Sequence, residues 1–303
     1  MITLPFNMFK LINLLLIFLI MSNTQAQIKQ SPVVADGATL QLISNQFSFT
    51  EGPATDKDGN VFFTDQPNNK IWEYDTKGKL SVFLGDSGRS NGMYFDNGGN
   101  LISCADEHNQ LWSISPDKKI TVLLKDYKDL HLNGPNDVFV TKDGKIYFTD
   151  PYYQRDYWTR KSPEIEGQKV YFLKEKNKAE IVIDDLKKPN GIIGTPDGKY
   201  LYVADIEANQ TFKYTIAADG TLKEPTLFAA QGSDGMTIDN EGNIYLTGKG
   251  VTVYNADGKQ IEHIDVPADW TGNITFCGKE KDILFITASQ NIYTLKMKVK
   301  GVR

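Results

Sequence analysis

Histidine and cysteine are scarce in this chain: its 303 residues include only three histidines and two cysteines. Cys104 and Cys277 stand in separate strand-like runs and lack the paired spacing of a soft-metal site. We therefore expect no zinc-thiolate centre and no disulfide between them, and we interpret both as small buried hydrophobic residues. A serine hydrolase triad is not indicated either, because the sequence contains no GxSxG nucleophile elbow.

An excess of positive charge is also missing. The sequence has 33 Lys and Arg residues against 38 Asp and Glu residues, which gives a formal net charge of −5. Phosphate contacts require clustered lysine and arginine, so we expect no nucleic-acid partner.

Amphipathic helical periodicity is lacking beyond the N-terminal segment. No long stretch there has apolar residues at i, i+3, i+4 and i+7 without an intervening glycine or proline. Runs such as VFFTD, KIWEYD and KLSVFL instead alternate with period two, and Asp-Gly, Asn-Gly and Lys-Gly turns separate such runs. This pattern predicts a meander of antiparallel strands with almost no helix.

The longest apolar run lies at the N-terminus. Lys10 is followed by the 11 residues LINLLLIFLIM and then by SNTQA, a combination that predicts a cleaved signal peptide over residues 1–26. We therefore expect one domain over residues 27–303, exported to the periplasm or the medium, with no stable membrane span after cleavage. The alternative is an uncleaved anchor, because an apolar count that starts at Met8 approaches spanning length.

Six turn positions recur along the chain at separations of 39 to 54 residues, and a strand-like run follows each of them. This is the period of β-propeller blades, so the sequence predicts an all-β, six-bladed propeller. The segment ATLQLIS at 38–44 has no partner in the first repeat, and the last repeat offers only three strands. We expect this N-terminal strand to join the last blade and close the ring. The turn positions are Gly59, Gly99, Gly144, Gly198, Gly242 and Lys281.

An oxygen-bearing side chain stands eight residues before each turn position, at the start of the predicted innermost strand. Six such side chains would form a ring at one mouth of the central channel. Carboxylate and amide oxygens suit a hard divalent cation, and this mixed set favours calcium over zinc. Turn preference alone is the alternative for the asparagines, although glutamate is a poor turn former. The ring residues are Glu51, Asn91, Asn136, Asn190, Asp234 and Asn273.

Five segments together resemble the gluconolactonase and senescence-marker-protein (regucalcin) family of six-bladed propellers. They are FTEGPATDKDGNVFFTD, SNGMYFDNGGNLISCADE, NGPNDVFVTKDGKIYFTDPYY, KPNGIIGTPDGKYLYVADI and GSDGMTIDNEGNIYLTGKGVTVY. The similarity extends from about residue 45 to residue 297. No one motif is highly specific, but EGP, PND, PNG and SDGM in this order form a strong composite signal.

The resemblance implies a lactonase or related hydrolase with one catalytic divalent cation in the channel. From the oxygen ligands we expect this cation to be Ca²⁺, with Zn²⁺, Mg²⁺ or Mn²⁺ as alternatives. Its metal ligands correspond to Glu51, Asn136, Asn190 and Asp234. The cation would polarise a lactone carbonyl. The resemblance also implies that Asp234 is a general base or nucleophile, although a role as metal ligand alone stays open. Asn91 would face the substrate.

Loops that enter the first strands supply further candidates for substrate contact, namely Arg89 and Asn133. The longest insertion, Tyr152 to Gln168, is rich in aromatic and arginine residues. It could close over a sugar ring, or it could be a packed surface loop.

Aspartates end the second strand of four repeats and should border the same mouth. We interpret them as structural, with Asp150 as the exception because it leads into the insertion. The four are Asp65, Asp106, Asp150 and Asp205.

Three functions are consistent with these observations. The favoured one is a calcium-dependent sugar lactonase that acts on a small-molecule lactone, as a monomer or weak dimer. A phosphotriesterase or other ester hydrolase could use the same metal site. A non-catalytic ligand-binding propeller is the third, and it does not account for two carboxylates at the mouth.

Overall fold

The structure, a computed structural model, describes residues 30–302, so the predicted signal peptide lies outside the described residues. Ser31–Arg303 forms one compact unit. The described strands form six four-stranded antiparallel sheets, which confirms the predicted all-β six-bladed propeller. Within residues 30–302, no helix is long and apolar enough to cross a membrane. Two 3-10 turns, Gln66–Asn68 and Asp106–His108, follow the second strands of blades one and two.

Each of the first five blades is a simple up-and-down meander. Blade one contains β2 (Thr50–Thr55), β3 (Val61–Asp65), β4 (Lys70–Tyr74) and β5 (Leu80–Gly85). Blade two contains β6 (Ser90–Phe95), β7 (Leu101–Ala105), β8 (Gln110–Ile114) and β9 (Ile120–Leu124). Blade three contains β10 (Val138–Val140), β11 (Ile146–Asp150), β12 (Lys169–Glu175) and β13 (Lys178–Ile183). Blade four contains β14 (Pro189–Gly194), β15 (Tyr200–Asp205), β16 (Gln210–Ile216) and β17 (Leu222–Ala229). Blade five contains β18 (Met236–Ile238), β19 (Ile244–Gly248), β20 (Gly250–Tyr254) and β21 (Gln260–Ile264).

Blade six is assembled from both ends of the propeller. It contains β22 (Thr271–Cys277), β23 (Ile283–Ala288) and β24 (Asn291–Lys296), and β1 (Gln41–Ser44) pairs antiparallel with β24. The N-terminal strand therefore closes the ring, as predicted. This closure satisfies the backbone edge that β24 would otherwise expose.

The predicted turn positions all adopt the left-handed backbone conformation. Gly59 has a φ of 92°, and Lys281, which replaces the glycine in blade six, has a φ of 55°. In blade one, Asp56 Oδ1 accepts hydrogen bonds from the N–H groups of Asp58 and Asn60. Such Asx-type bonds define the turn and so fix where the strand before it ends.

Aromatic side chains pack between neighbouring blades. Phe62 of blade one lies edge-on to Phe95 of blade two, with ring centroids 5.3 Å apart. Tyr245 of blade five and Phe276 of blade six pack in the same way at 5.3 Å. Edge-to-face packing of this kind stabilises aromatic pairs beyond the burial of their area. The blades therefore hold the innermost strands in fixed positions around the channel.

Candidate active site

Five of the six predicted ring residues line one cavity at the channel mouth. Its volume is about 260 Å³, and its wall also includes Gln66, Tyr153, Arg155 and Trp270. The five are Glu51, Asn91, Asn136, Asn190 and Asp234. Four of them are buried, whereas Asp234 is half-buried.

Hydrogen bonds between blades hold the backbone of the ring in place. The hydroxyl of Thr64 in blade one donates to the carbonyl of Asn91 in blade two at 3.4 Å. The hydroxyl of Thr149 in blade three donates in the same way to the carbonyl of Asn190 at 2.8 Å. The second strands of blades one and three thus position the ring residues of the blades that follow them.

The sixth ring position belongs to Gly272, so the prediction that Asn273 occupies it is wrong. The hydroxyl of Thr247 donates to the carbonyl of Gly272 at 2.7 Å, which is the bond that Asn91 and Asn190 accept in their blades. In blade six the chain uses one more residue between the ring position and the turn, so counting back eight residues from Lys281 reaches the residue after the ring.

Asn273 occupies in blade six the position that Asp137 occupies in blade three, and the sequence analysis did not single out Asp137. The N–H of Asp137 donates to Thr149 Oγ1, and the N–H of Asn273 donates to Thr287 Oγ1. Both side chains point into the channel beneath the ring, where they line a smaller cavity of about 60 Å³. Asp137 directly follows the ring residue Asn136 in the PND motif, whereas glycine follows the ring residue in the EGP, PNG and SDGM motifs. This exchange of glycine for a carboxylate is the only feature of the sequence that could have identified Asp137.

Glycine fills the equivalent position in the four other blades. At Gly52 and Gly191 a Cβ atom would meet the backbone of the next blade, whereas at Gly92 and Gly235 it would meet one of these two side chains. A Cβ atom on Gly92 would lie 2.3 Å from Asp137 Oδ1. A Cβ atom on Gly235 would lie 2.0 Å from Asn273 Cγ. The glycines of these motifs therefore permit a packed second layer under the ring.

Three carboxyl groups, those of Glu51, Asp137 and Asp234, lie close together in this buried environment. Burial raises the pKa of Glu51 well above its ordinary value, and the charge of Asp234 raises it further. Burial also raises the pKa of Asp137 to about 8 and that of Asp234 to about 6. A positive charge in the cavity would favour the ionised forms of all three.

The ring offers oxygen atoms that suit a cation. Asn190 Oδ1 is buried and has no hydrogen-bond partner, while its Nδ2 donates to the hydroxyl of Tyr153 at 3.1 Å. An orphaned buried oxygen is costly unless a cation or water satisfies it. No group of three His, Cys, Asp or Glu side chains within residues 30–302 has the arrangement of a metal site. Amide oxygens would therefore have to complete the coordination, as they do for calcium.

Trp270 contacts Asp234 directly, although the sequence analysis did not select it. Its indole Nε1 donates to Asp234 Oδ2 at 2.6 Å. Trp270 lies in the loop just before β22, outside the repeated motifs, so no periodic signal marked it. A donor to the carboxylate holds its orientation and favours its ionised form.

The blade-three insertion crosses to blade two and is anchored there by Asp106. Asp106 Oδ2 accepts hydrogen bonds from Arg155 Nε at 3.0 Å and from the hydroxyl of Tyr157. The indole of Trp158 donates to the Asp106 carbonyl at 3.0 Å. The insertion thereby places Tyr153 and Arg155 in the wall of the cavity.

Asp106, and not Asp150, is the exception among the four strand-end aspartates. The carboxylates of Asp65, Asp150 and Asp205 all accept backbone N–H bonds from the loop that enters their own blade. Asp150 bonds in this way to Asn133 and Gly134. The expected special role of Asp150 is therefore wrong, because its oxygens are committed to the loop.

The two loop residues predicted to contact substrate lie away from this cavity. Asn133 is fully buried, and its Nδ2 donates to the carbonyls of Asp150 and Gly167. Arg89 lines a neighbouring cavity, and its Nη1 donates to the carbonyl of Pro67 at 2.5 Å. Asn91, by contrast, lies in the wall of the active-site cavity as expected.

The two cysteines are both free and buried, as predicted. Burial raises the pKa of the Cys277 thiol to about 12 and that of Cys104 well above its ordinary value. Neither thiol lines the cavity.

Residues 49–290 match the family described as SMP-30/Gluconolactonase/LRE-like region. The chain belongs to this family. It is 27% identical over 293 residues to a gluconolactonase of Zymomonas mobilis, an alignment that covers 86% of this chain and 82% of that relative. The solved structure of a gluconolactonase from Xanthomonas campestris superposes with a TM-score of 0.80 at 25% identity, covering 88% of this chain and 95% of the other.

A calcium-binding protein, regucalcin, from Agrobacterium tumefaciens has the same fold, with a TM-score of 0.73 at 20% identity over 87% of this chain and 95% of the other. Membership of the family, predicted from the motifs, is thus confirmed, and so is the enzyme class, a lactonase.

Proposed function

We propose that this protein is a calcium-dependent hydrolase that opens a sugar lactone such as gluconolactone at the channel mouth. The observation that supports it most directly is the buried ring of mixed oxygens with the orphaned Asn190 Oδ1. The names of the relatives support the substrate class. The N-terminal segment supports export to the periplasm or the medium.

Glu51, Asn136, Asn190 and Asp234 would hold the cation through their side-chain oxygens. When bound, it would supply Lewis-acid polarisation of the lactone carbonyl and acidify a bound water. Burial raises the pKa of Asp234 to about 6, and its Oδ2 is oriented by Trp270. We assign to Asp234 the removal of a proton from the attacking water.

The remaining wall residues would hold the sugar. The hydroxyl of Tyr153 and the guanidinium of Arg155 are polar groups on the insertion, and the amide of Asn91 faces them in the same cavity. Water adds to the carbonyl carbon, the ring ester C–O bond breaks, and the ring oxygen receives a proton to give the open hydroxy acid.

Hydrolysis of glucono-1,5-lactone by the purified chain tests this proposal. We expect activity with calcium, and a loss of about 100-fold or more on chelation or in Glu51→Gln and Asp234→Asn variants. Lys118→Ala, in the turn between β8 and β9 at the other end of blade two, is a control that should retain full activity. Full activity after chelation, or in both acidic variants, would overturn the metal-hydrolase assignment. Faster hydrolysis of a phosphotriester than of the lactone would favour the alternative ester hydrolase.

A further inference from the structure

A second cavity lies beside the active-site cavity at the same mouth. Its volume is about 330 Å³. Gln66 and Arg155 line both cavities, so the two share one wall. A cavity of the first size accommodates a ligand no larger than a single sugar ring, whereas the two together reach the volume of larger ligand sites. The second cavity is lined by Gln66, Arg89, Gln154, Arg155, Asp156 and Tyr157, among others.

The wall of the second cavity has the chemistry of a carbohydrate site. Guanidinium, carboxamide and carboxylate groups are planar and can hydrogen-bond to two neighbouring hydroxyls, and the same wall contains one aromatic ring, that of Tyr157. The guanidinium of Arg89 lies over the ring of Tyr157, 4.6 Å from its centroid. Arg89 therefore covers one face of the Tyr157 ring, and both side chains line the cavity.

Arg89 is held in an unusual backbone conformation. Its φ is 45°, which is a left-handed value that non-glycine residues seldom adopt. The N–H of Arg89 donates to Asn69 Oδ1 at 2.7 Å, and this bond supports the conformation. The Asn69 side chain thus fixes the backbone from which Arg89 enters the cavity wall.

The charges of the second cavity are nearly balanced. Arg155 pairs with buried Asp106 at 3.0 Å, and Arg89 Nε lies 3.5 Å from Glu107. The carboxylate of Asp156 stands in the same wall. A neutral polyhydroxyl group therefore fits this cavity better than an anion does.

We propose that the second cavity is a subsite for a sugar residue attached to the lactone ring. The preferred substrates are then lactones of disaccharides, with the lactone ring in the active-site cavity and the second sugar against Arg89 and Tyr157. This inference rests on the proposed lactonase function for its substrate, but binding of the second sugar can be measured without turnover.

Calorimetric titration of the open-chain acids tests the subsite directly. Gluconate, cellobionate and maltobionate share the same gluconate unit, and the latter two add a β-linked or α-linked glucosyl group. We expect one of the two disaccharide acids to bind the calcium-loaded protein about tenfold more tightly than gluconate. Equal affinities for all three would overturn the proposal. Tighter binding of 6-phosphogluconate than of both disaccharide acids would overturn it in favour of an anion site.

Variants locate the effect in the second cavity. In Arg89→Ala the tenfold preference should fall to about unity. Lys118→Ala is the matched control, because Lys118 also has a left-handed φ of 67° and also lies over an aromatic ring, that of Phe83. If Arg89→Ala does not fold, Asp156→Trp, which introduces an indole at an exposed position in the wall, should have the same effect. An unchanged preference in the folded variant would overturn the assignment.

The outcome is separable from that of the proposed function. If glucono-1,5-lactone is hydrolysed but the glucosyl group adds no affinity, only the subsite fails. If neither glucono-1,5-lactone nor the disaccharide lactones are hydrolysed while the glucosyl preference depends on Arg89, the subsite stands and the lactonase proposal fails.

Discussion

The indole of Trp270 donates a hydrogen bond to Oδ2 of Asp234 at 2.6 Å, and so links the loop that enters blade six to the ring residue of blade five. Burial raises the pKa of Asp234 to about 6, and this bond opposes the rise because it stabilises the carboxylate. The protonation of the proposed catalytic group is therefore set partly by a residue outside the repeated motifs.

Trp270→Phe should shift the pH dependence of hydrolysis. Removal of the indole N–H takes a hydrogen bond of about 1.5–3 kcal/mol from the carboxylate, so the apparent pKa of the acidic limb of kcat/KM should rise by about one to two units. A pH–rate profile with a lactone substrate measures this. Trp112→Phe is the control, because Trp112 Nε1 donates to Gln110 Oε1, away from the cavity. Coincident profiles for Trp270→Phe and the unmodified protein would contradict the assigned role.

Calcium should stabilise the folded protein through a defined subset of the ring. Ligand at 100 times its dissociation constant adds about 2.7 kcal/mol, which in a domain of this size corresponds to a rise in Tm of about 5 °C. The rise should disappear in Asn190→Ala, which removes the orphaned oxygen, and should persist in Asn91→Ala. Differential scanning calorimetry with and without calcium measures both. If the calcium-dependent rise in Tm were lost equally in both variants, the ring would not divide into calcium ligands and substrate contacts.

The blade pattern was predictable because its causes are local. Period-two alternation and Asx-type turns at Gly59 and its equivalents fix the strands, and the repeat length fixes the number of blades. Five ring residues followed because each stands at a constant distance from its turn. The sixth was misplaced because β22 uses one more residue, and only its hydrogen bond from Thr247 identifies Gly272 as the equivalent.

Contacts made between distant parts of the chain could not be predicted in the same way. Asp106 and Asp150 end equivalent strands with the same residue type, yet the insertion from blade three bonds to the first and not to the second. Which aspartate anchors the insertion depends on how the 18 irregular residues 151–168 cross the mouth, and such a path has no sequence period. Trp270 also lies in an irregular loop, so its contact with Asp234 could not be predicted from the repeat either.

Asp106→Asn should release the insertion. Loss of the carboxylate leaves Arg155 without its buried partner, which costs about 3 kcal/mol of stability and displaces a guanidinium from the cavity wall. KM for the lactone should rise by about tenfold or more, which corresponds to about 1.4 kcal/mol of lost binding. Steady-state kinetics and limited proteolysis within residues 152–168 measure the two effects.

Asp143→Asn is the matched control for this change, because it removes an ion pair with Lys145 at the surface, where the Asp143 side chain is exposed. Such surface pairs contribute about 0–1 kcal/mol, so KM and protease sensitivity should stay unchanged. If Asp106→Asn behaved like this control, the anchor would not determine the position of the insertion.

The layer under the ring should reject any side chain at Gly235. A Cβ atom there would lie 2.0 Å from Asn273 Cγ and 2.1 Å from Asn273 Oδ1, so Gly235→Ala should lower the free energy of unfolding by about 1–3 kcal/mol. Combining it with Asn273→Gly should restore part of the loss. Gly85→Ala has no atom within 4 Å of its added Cβ and should change stability by less than about 0.5 kcal/mol. Urea denaturation of the four proteins tests this, and a neutral Gly235→Ala would contradict the packed layer.

Without calcium, the protein should lose stability as the pH rises from about 4 to 8. The pKa of buried Asp150 is raised to about 7 and that of Asp137 to about 8, whereas both are near 3.9 in the unfolded chain. A pKa that is higher in the folded state means that the folded protein binds the proton more tightly than the unfolded chain does. Each of these carboxyl groups therefore contributes its full stabilisation below its pKa in the unfolded chain. That contribution to the free energy of unfolding is lost as the pH rises through the pKa of the folded state.

Urea denaturation in the presence of a chelator should therefore give a free energy of unfolding lower at pH 8 than at pH 5, by at least about 2 kcal/mol. Asp150→Asn should reduce this slope, because it removes one titrating group while keeping an oxygen for the N–H of Gly134. Calcium should also reduce the fall in the free energy of unfolding between pH 5 and pH 8, with or without the Asp150→Asn change. The reason is that a cation at the ring favours the ionised forms of the ring carboxylates. The slope should be unaffected by Asp197→Asn, since Asp197 is exposed and its pKa is lowered by the hydroxyl of Thr195. Higher stability at pH 8 than at pH 5 in the chelated protein would show that these carboxyl groups are ionised at no cost in the folded state.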